Sequence, residues 1–334
     1  MALRTLQGKL LASLLLGLAV IIVIGLVSDA QAVGRDLGTF RWELLPAILG
    51  LTVLNYALRW LKWEFYLRRL ALGGGVGRLD SALIFCAGLL MSVTPGKLGE
   101  VFKSYLLRRV NGTAVSRSAP IVLAERLTDG LAMLLLMALG LTLYPPARPI
   151  FVVLVLATLA GILVLQFRQL SLALIDSTAR LPFGKRLAPR LHAIYASTLQ
   201  LLEWRVLLVS TVISFISWGF ECLAFYYVLV GLGVEGTPLL LLQATFIFAA
   251  STLFGLVSFL PGGLGVSEVS SVGLLVAMVG LAASTATTAT ILIRFCTLWF
   301  GVLVGAVALG WFGRRYQAEP AGPLVLEAGQ HDRP

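Results

Sequence analysis

SVTPGKLG at 92–99 and SFLPGGLG at 258–265 are two copies of one pattern, S-x-x-P-G-x-L-G, and each interrupts an otherwise apolar stretch. Proline removes a backbone donor and glycine adopts dihedral angles that other residues avoid, so each copy predicts a break in a membrane helix. Broken helices at corresponding positions of two halves indicate the binding site of a transporter. The pattern therefore favours passage of a substrate through the membrane over catalysis. The residues expected to form the breaks are Pro95, Gly96, Gly99, Pro261, Gly262, Gly263 and Gly265.

Composition is typical of an integral membrane protein. Hydrophobic residues make up 58% of the 334 residues and charged residues only 13%. The net charge of +10 comes from Lys and Arg clusters, which suit cytoplasmic loops and anionic lipid headgroups rather than nucleic acid. The three cysteines lie singly in apolar runs, and we expect reduced packing residues. We therefore expect an all-α polytopic protein with no cofactor and no metal.

Apolar segments long enough to span a bilayer predict about six transmembrane helices, near 9–28, 43–63, 118–143, 149–166, 206–231 and 284–312. Two further segments, near 79–110 and 238–281, contain the breaks, and we expect re-entrant hairpins there. The distribution of Lys and Arg predicts that both termini are cytoplasmic. The first hairpin then enters from the cytoplasm and the second from outside. Arg126 lies 31 residues after Pro95 and Arg294 lies 33 after Pro261, which also predicts an inverted repeat of units 43–143 and 206–312.

The remaining segments are assigned by composition. We expect one transmembrane domain over 1–315, a cytoplasmic loop with amphipathic character over 167–205, and a disordered tail over 316–334. The N-terminus, with Arg4 and Lys9 before an apolar run, resembles a secretory signal. That run is about eighteen residues, longer than the usual signal core, so we favour an uncleaved anchor.

Charged residues at membrane depth are costly and indicate function by default. We expect eight of them to line a polar cavity: Lys97, Glu100, Glu125, Arg126, Asp129, Glu221, Glu268 and Arg294. The amides of a helix that restarts after a break favour an anion, so a phosphate or phosphodiester is the expected guest, with Lys97, Arg126 and Arg294 as counter-charges. The acids can balance these cations, accept a proton or meet an amine headgroup. Glu221 stands out because a lone mid-span carboxylate needs a partner.

Simpler explanations exist for several charged residues. Glu125, Arg126 and Asp129 can form a network that only locks helices together. Arg59 and Lys62 lie beside tryptophans, which is more typical of an interfacial anchor than of a site.

Other polar residues indicate no catalytic site. We expect Lys103, Arg108 and Arg109 to face solvent or lipid headgroups. His192 and His331 lie in a loop and in the tail, which argues against a metal site or histidine-based catalysis. No P-loop, Rossmann glycine pattern or nucleophile elbow is present in the sequence.

T-P-G-K-L-G-E at 94–100, E-R-L-T-D-G at 125–130 and L-P-G-G-L-G-V-S-E at 260–268 resemble motifs of the lysylphosphatidylglycerol synthase transmembrane, or flippase-like, family. Arg59-Trp60 and Arg294 also match, and the resemblance covers roughly residues 5–313. In members fused to an aminoacyl-lipid synthase this region is associated with moving the modified lipid between leaflets. Stand-alone relatives have been linked to hopanoid transport and polyprenyl-linked sugar pathways.

Only about twenty residues follow the last apolar segment, so we expect a stand-alone member without the synthase domain and without its lipid-lysylating activity. Val266 stands where the first motif has Glu100, which predicts that the two hairpins are not chemically equivalent.

The resemblance implies a non-enzymatic protein of the bacterial inner membrane that translocates an aminoacyl-phospholipid, a hopanoid or a polyprenyl-linked lipid. Its partners would be membrane lipids and a lipid-modifying enzyme encoded nearby. Three alternatives remain: an intramembrane polyprenyl-phosphate-dependent transferase with Glu100 or Asp129 as catalytic carboxylate, a non-transporting partner of a lipid-modifying enzyme, and a small-solute carrier. Without a nucleotide-binding motif, any drive would come from an ion gradient, a partner or the substrate's own gradient.

Overall fold

The computed structural model describes residues 30–94, 99–178 and 184–316. Within these ranges the chain is helical and contains no strand. The predicted span 9–28, the residues Pro95, Gly96 and Lys97, and all of the predicted tail 316–334 except Tyr316 lie outside the described residues. Tyr316 is the last residue of a helix and not part of a disordered tail. The α-helices are α1 (Ala30–Thr39), α2 (Leu45–Arg69), α3 (Arg78–Leu89), α4 (Phe102–Asn111), α5 (Val115–Gly140), α6 (Arg148–Gln166), α7 (Arg168–Thr178), α8 (Gly184–Leu201), α9 (Trp204–Gly231), α10 (Pro238–Val257), α11 (Val266–Leu274), α12 (Ala283–Arg294) and α13 (Phe300–Tyr316). Two π-helical segments, Leu275–Val279 and Phe295–Trp299, extend α11 and join α12 to α13.

Six helical segments in the described part of the chain are long and apolar enough to cross a membrane: Trp42–Arg69, Pro145–Gln166, Trp204–Gly231, Pro238–Val257, Pro261–Val279 and Ala283–Tyr316. The number agrees with the prediction, but the members differ. Helix α5 is a long helix in the predicted place, yet its three charges at 125, 126 and 129 keep it out of this set. Instead, the two arms of the second predicted hairpin, Pro238–Val257 and Pro261–Val279, both belong to the set of six. Helix α10 alone has 20 residues, which makes it about 30 Å long.

Contacts group several helix ends at one end of the bundle, which we name the basic end. Arg69 pairs with Glu203, Arg315 Nε lies 2.8 Å from Asp80 Oδ1, and Arg109 donates to the carbonyl of Tyr316 over 2.9 Å. The first hairpin, α3 and α4, begins and ends here as well, because Asn111 donates to the carbonyl of Leu72 over 2.9 Å.

The other helix ends meet at the opposite end of the bundle. The Arg41 amide donates to the carbonyl of Gly231 over 3.0 Å, and the rings of Tyr144 and Phe246 lie 6.2 Å apart. The second hairpin, α10 and α11 with its π extension, starts and finishes at this end. Gln243 near its start donates to the carbonyl of Met278 near its finish, over 2.7 Å.

The tips of the two hairpins touch inside the bundle. A β-carbon placed on Gly262 would lie 3.6 Å from the Cα of Val93. The 3₁₀ segments Leu90–Val93 and Pro261–Gly263 are therefore neighbours. Hairpins that start at opposite ends thus meet tip to tip.

The second predicted break has the backbone that its glycines lead us to expect. Gly262, Gly263 and Gly265 have φ of +62°, +67° and +87°, the left-handed region that favours glycine. In the first break, the backbone amide of Gly99 donates a hydrogen bond to Thr94 Oγ1 over 2.8 Å. A β-carbon at Gly99 would lie 2.5 Å from that oxygen, so the close approach requires glycine.

The predicted cytoplasmic loop 167–205 is mostly helical. Helices α7 and α8 occupy it, and α8 packs against α5 with Tyr195 and Leu201 buried. The Tyr195 hydroxyl donates to the carbonyl of Leu165 over 3.2 Å. The segment is therefore joined to the bundle at its second half.

Helix α13 packs backbone to backbone on the first hairpin. A β-carbon at Gly305 would lie 2.4 Å from the backbone nitrogen of Leu90 and 2.9 Å from the carbonyl oxygen of Cys86. Small residues allow membrane helices to approach this closely.

Substituting Gly305→Val is expected to destabilise the protein by about 1–3 kcal/mol, because the added atoms force the two helices apart. Gly310→Val is the matched control, since Gly310 is an exposed glycine of the same helix with nothing within 4 Å of an added β-carbon. Thermal unfolding in detergent measures both. Equal midpoints for the two variants would contradict the packing described here.

Candidate substrate cavity

The structure separates the predicted site residues into two places. Lys97 lies outside the described residues. Of the other seven, four belong to a cluster of ion pairs around the first hairpin: Glu100, Glu125, Arg126 and Asp129. Of the remaining three, Glu221 and Arg294 line a cavity next to the second hairpin, and Glu268 pairs with Arg294.

The cluster, which we name the charge network, contains Lys62, Glu100, Lys103, Glu125, Arg126 and Asp129. Lys62 Nζ lies 2.6 Å from Asp129 Oδ1, and Lys103 Nζ lies 2.5 Å from Glu125 Oε2. Arg126 Nη2 lies 3.1 Å from Glu100 Oε2 and 3.2 Å from Asp129 Oδ2. Three cations thus face three carboxylates, so the network is formally neutral.

Both lysines of the network are almost fully buried, at 1% exposure for Lys62 and 2% for Lys103. Lys62 Nζ also donates to Ser214 Oγ over 2.6 Å, which links α2 to α9. Lys103 Nζ lies 5.0 Å from the centre of the Trp63 ring. A β-carbon at Gly88 would lie 2.5 Å from Lys103 Cγ, so this glycine makes room for the buried stem. The network therefore clamps the first hairpin to α2 and α5, as the helix-locking alternative expects.

Three predictions about basic residues are wrong. Lys103 does not face solvent or headgroups, whereas Arg108 and Arg109 are exposed as predicted. Arg59 and Lys62 are buried and do not form an interfacial anchor. The predicted span ended at residue 63, but α2 continues to Arg69, which places both residues well inside the helix.

The cavity, which we name the central cavity, encloses about 90 Å³ between α2, α9, α10, α12 and the tip of the first hairpin. That volume is enough for several waters or a small polar group. Its charged lining residues are Arg59, Glu221 and Arg294. Hydroxyl groups line much of the rest: Ser92, Ser251, Thr252, Ser267, Ser271, Thr290 and Thr297.

Arg294 joins the cavity to the second break. Its Nε lies 2.5 Å from Glu268 Oε1, and its Nη2 donates to the carbonyl of Gly262 over 3.0 Å. The other oxygen of Glu268 accepts from the amide of Gly265 over 2.6 Å. The conformation of the break is therefore tied to the guanidinium that faces the cavity.

Each hairpin region supplies a glutamate that pairs with an arginine on a later helix, although the two glutamates do not align within the motif. Glu100 pairs with Arg126 and Glu268 pairs with Arg294, and each pair is separated by 26 residues. Val266 makes no such pair, but Glu268, two residues later, pairs with an arginine as Glu100 does. The chemical non-equivalence of the two hairpins stays a prediction. The equal Glu-to-Arg spacing is the sequence signal that could have found the second pair.

Arg59 and Glu221 are buried charged residues that make no ion pair within the described part of the chain. Arg59 is 8% exposed and its guanidinium lies 5.4 Å from the centre of the Trp218 ring, while among the described residues no carboxylate lies within 4.0 Å of it. Glu221 is 2% exposed, and its Oε2 has no hydrogen-bond partner in the described part of the chain. Asn55 Oδ1, also at the cavity, is unpartnered within the same ranges. These groups are arranged to receive a polar or charged guest.

A family model described as the lysylphosphatidylglycerol synthase TM region matches residues 14–305. The chain belongs to this family. Related proteins include two UPF0104 membrane proteins of Methanothermobacter thermautotrophicus, one 24% identical over 88% of this chain and 95% of its own length, the other 28% identical over 88% and 90%. A UPF0104 membrane protein of Pyrococcus horikoshii is 24% identical over 80% of this chain and 86% of its own.

The family membership confirms the resemblance and a multi-pass membrane protein. These relatives are archaeal, so the bacterial inner membrane stays a prediction. The family motifs quoted above reach the two places described: Glu100 of the first motif meets 125–130 in the charge network, and Glu268 of the third pairs with Arg294 at the cavity.

Proposed function

We propose that this protein translocates an amphiphilic lipid between the two leaflets, with the headgroup passing through the central cavity and the tail staying in the bilayer. The observation that carries the proposal is a polar cavity at the contact between two hairpin tips, lined by the buried Arg59 and by Arg294. Burying charges inside a membrane protein is costly, so such residues indicate a substrate path. Membrane lipids are its proposed partners.

An inverted repeat of units 43–143 and 206–312, with both termini cytoplasmic, is the architecture we propose for this movement. It is supported by hairpins that start at opposite ends of the bundle and by the two Glu–Arg pairs of equal spacing. Two such units can alternate between states that open the cavity to one side and then to the other. The charge network would then hold one side closed while the cavity forms on the other.

The lining favours a phosphate-bearing headgroup. Arginine binds phosphate with paired hydrogen bonds, and both arginines reach this cavity from different helices. Serine and threonine hydroxyls can replace part of the water that the headgroup loses. A volume of about 90 Å³ is enough for several waters or a small polar group, which is the size range of a phosphate.

Purified protein in phosphatidylcholine vesicles containing a fluorescent phosphatidylglycerol tests this function. We expect leaflet exchange faster than in empty vesicles, and a rate at least about tenfold lower for Arg294→Gln, which corresponds to about 1.4 kcal/mol. Arg108→Gln, an exposed arginine of α4, is the matched control and is expected to exchange like wild type.

The variant Arg126→Gln tests whether the charge network, unlike the cavity, contributes to stability rather than to exchange. Because Arg126 pairs with Glu100 and Asp129 and does not line the cavity, we expect it to lower stability more than exchange. Wild-type exchange no faster than empty vesicles, or equal exchange by wild type and Arg294→Gln, would reject lipid translocation through this cavity.

A further inference from the structure

The central cavity contains one acid whose charge is not balanced by a contact. Glu268 pairs with Arg294, and the acids of the charge network pair with their own cations. Glu221 makes no ion pair among the described residues, although its side chain lies at the same cavity as Arg59 and Arg294. A buried carboxylate without a cation costs several kcal/mol when it is ionised, and it can avoid that cost by binding a proton.

The other charged and titratable groups around Glu221 belong to the helices that surround the cavity. Helix α2 presents Tyr56 and Arg59, and Tyr56 donates its hydroxyl to the carbonyl of Thr297 over 2.5 Å. Arg294 also lines the cavity and pairs with Glu268. The nearby thiols are Cys222 on the same helix and Cys296, both of which are free. Helices α10 and α11 contribute hydroxyls such as Ser251, Thr252, Ser267 and Ser271 to the lining.

Protonation of Glu221 changes the charge of the cavity by one unit. With Glu221 ionised, Arg59 balances it and Arg294 balances Glu268, so the formal charge is zero. With Glu221 protonated, the cavity has one positive charge and is matched to one monoanion. Inside a protein of low dielectric constant this difference has a large effect on the affinity for an anion.

We propose that Glu221 is a proton-binding site and that one proton enters with each monoanionic headgroup, so that lipid and proton move together without net charge. This inference rests on the proposed function. The proton passes from water to a Glu221 carboxylate oxygen when the phosphodiester binds at Arg59 and Arg294. It returns to water on the other side when the headgroup leaves, and no other bond forms or breaks.

Binding of the fluorescent phosphatidylglycerol to the detergent-solubilised protein, followed by anisotropy from pH 5.5 to 8.5, tests the linkage without transport. Because one proton is bound with the ligand, wild-type affinity is expected to fall by up to about tenfold per pH unit towards alkaline pH. Glu221→Gln cannot ionise, and its affinity is expected to be independent of pH. Glu221→Asp restores an ionisable group and with it the pH dependence.

Glu235→Gln is the matched control, since it makes the same chemical change at an exposed position between α9 and α10 and should keep the wild-type pH profile. In vesicles, a pH gradient is expected to make wild type accumulate the probe in one leaflet and to produce no accumulation with Glu221→Gln. A sodium gradient at constant pH is expected to have no effect.

The outcomes distinguish this inference from the proposed function. Three results would overturn proton coupling without affecting the proposal of lipid translocation. They are wild-type exchange that does not respond to the pH gradient, a binding affinity of Glu221→Gln that still depends on pH, and accumulation driven by sodium. No binding and no exchange by wild type would overturn both.

Discussion

Asp129→Ala is expected to lower the free energy of unfolding by about 3–5 kcal/mol, the range for breaking a buried ion pair by removing one partner. The change leaves the Lys62 ammonium, 1% exposed, with only the hydroxyls of Ser214 and Thr128. It also removes one of the two carboxylates that Arg126 contacts. Thermal or denaturant unfolding in detergent measures the loss.

The exposed pair Arg69–Glu203 is the control for this prediction. Both of its side chains are 42% exposed, and Arg69→Ala is expected to change stability by less than about 1 kcal/mol. The double variant Lys62→Met/Asp129→Leu should recover most of the loss, because it removes both buried charges together. If Asp129→Ala and Arg69→Ala were equally mild, the network would not be the clamp described here.

Arg59→Leu is expected to reduce leaflet exchange at least about tenfold, or about 1.4 kcal/mol, while leaving the stability within about 1 kcal/mol of wild type. Arg59 has no ion pair among the described residues, so its removal leaves no carboxylate that has lost a contact and also removes the cost of burying the guanidinium. The lost stacking on Trp218 is a stabilising contribution of about 2 kcal/mol or less that opposes this gain.

Lys62→Met is the matched comparison, because Lys62 lies three residues further along α2 and is also a buried cation. It should destabilise the protein by about 3–5 kcal/mol, since the buried Asp129 carboxylate loses the ammonium group with which it pairs. The two variants thus distinguish a cation that contributes to substrate binding from a cation that contributes to stability. A large loss of stability with unchanged exchange in Arg59→Leu would assign Arg59 to the structural group.

The hairpin breaks are the part of the site that was most predictable. Proline and glycine act on the local backbone, so SFLPGGLG predicts an interruption wherever it occurs in an apolar run, and three of its glycines adopt positive φ. The importance of charged residues inside apolar stretches, such as Glu221 and Arg294, was predictable for a similar reason. Their cost depends on the membrane interior alone and not on a particular neighbour.

The partners of those charges were not predictable. Lys62 and Asp129 are 67 residues apart, and nothing near either residue indicates the other. Lys103 resembled a solvated residue because it lies in the charged stretch that follows the first break. Its burial depends on the space left by Gly88 and on the carboxylate of Glu125, which belongs to the next helix.

By itself the sequence determined that this is a helical membrane protein of the lysylphosphatidylglycerol synthase TM region family with two broken segments, because hydropathy, proline and glycine act over a few neighbouring residues. Only the tertiary structure decided which charges are paired and which face the cavity. Arg59 and Lys62 lie one turn apart on the same helix, yet Arg59 stacks on Trp218 and Lys62 binds Asp129. That difference arises from their positions along α2, because Arg59 lies beside Trp218 of α9 whereas Lys62 lies beside Ser214 of α9 and Asp129 of α5. The free energy of a buried charge depends on the atoms within a few ångströms of it.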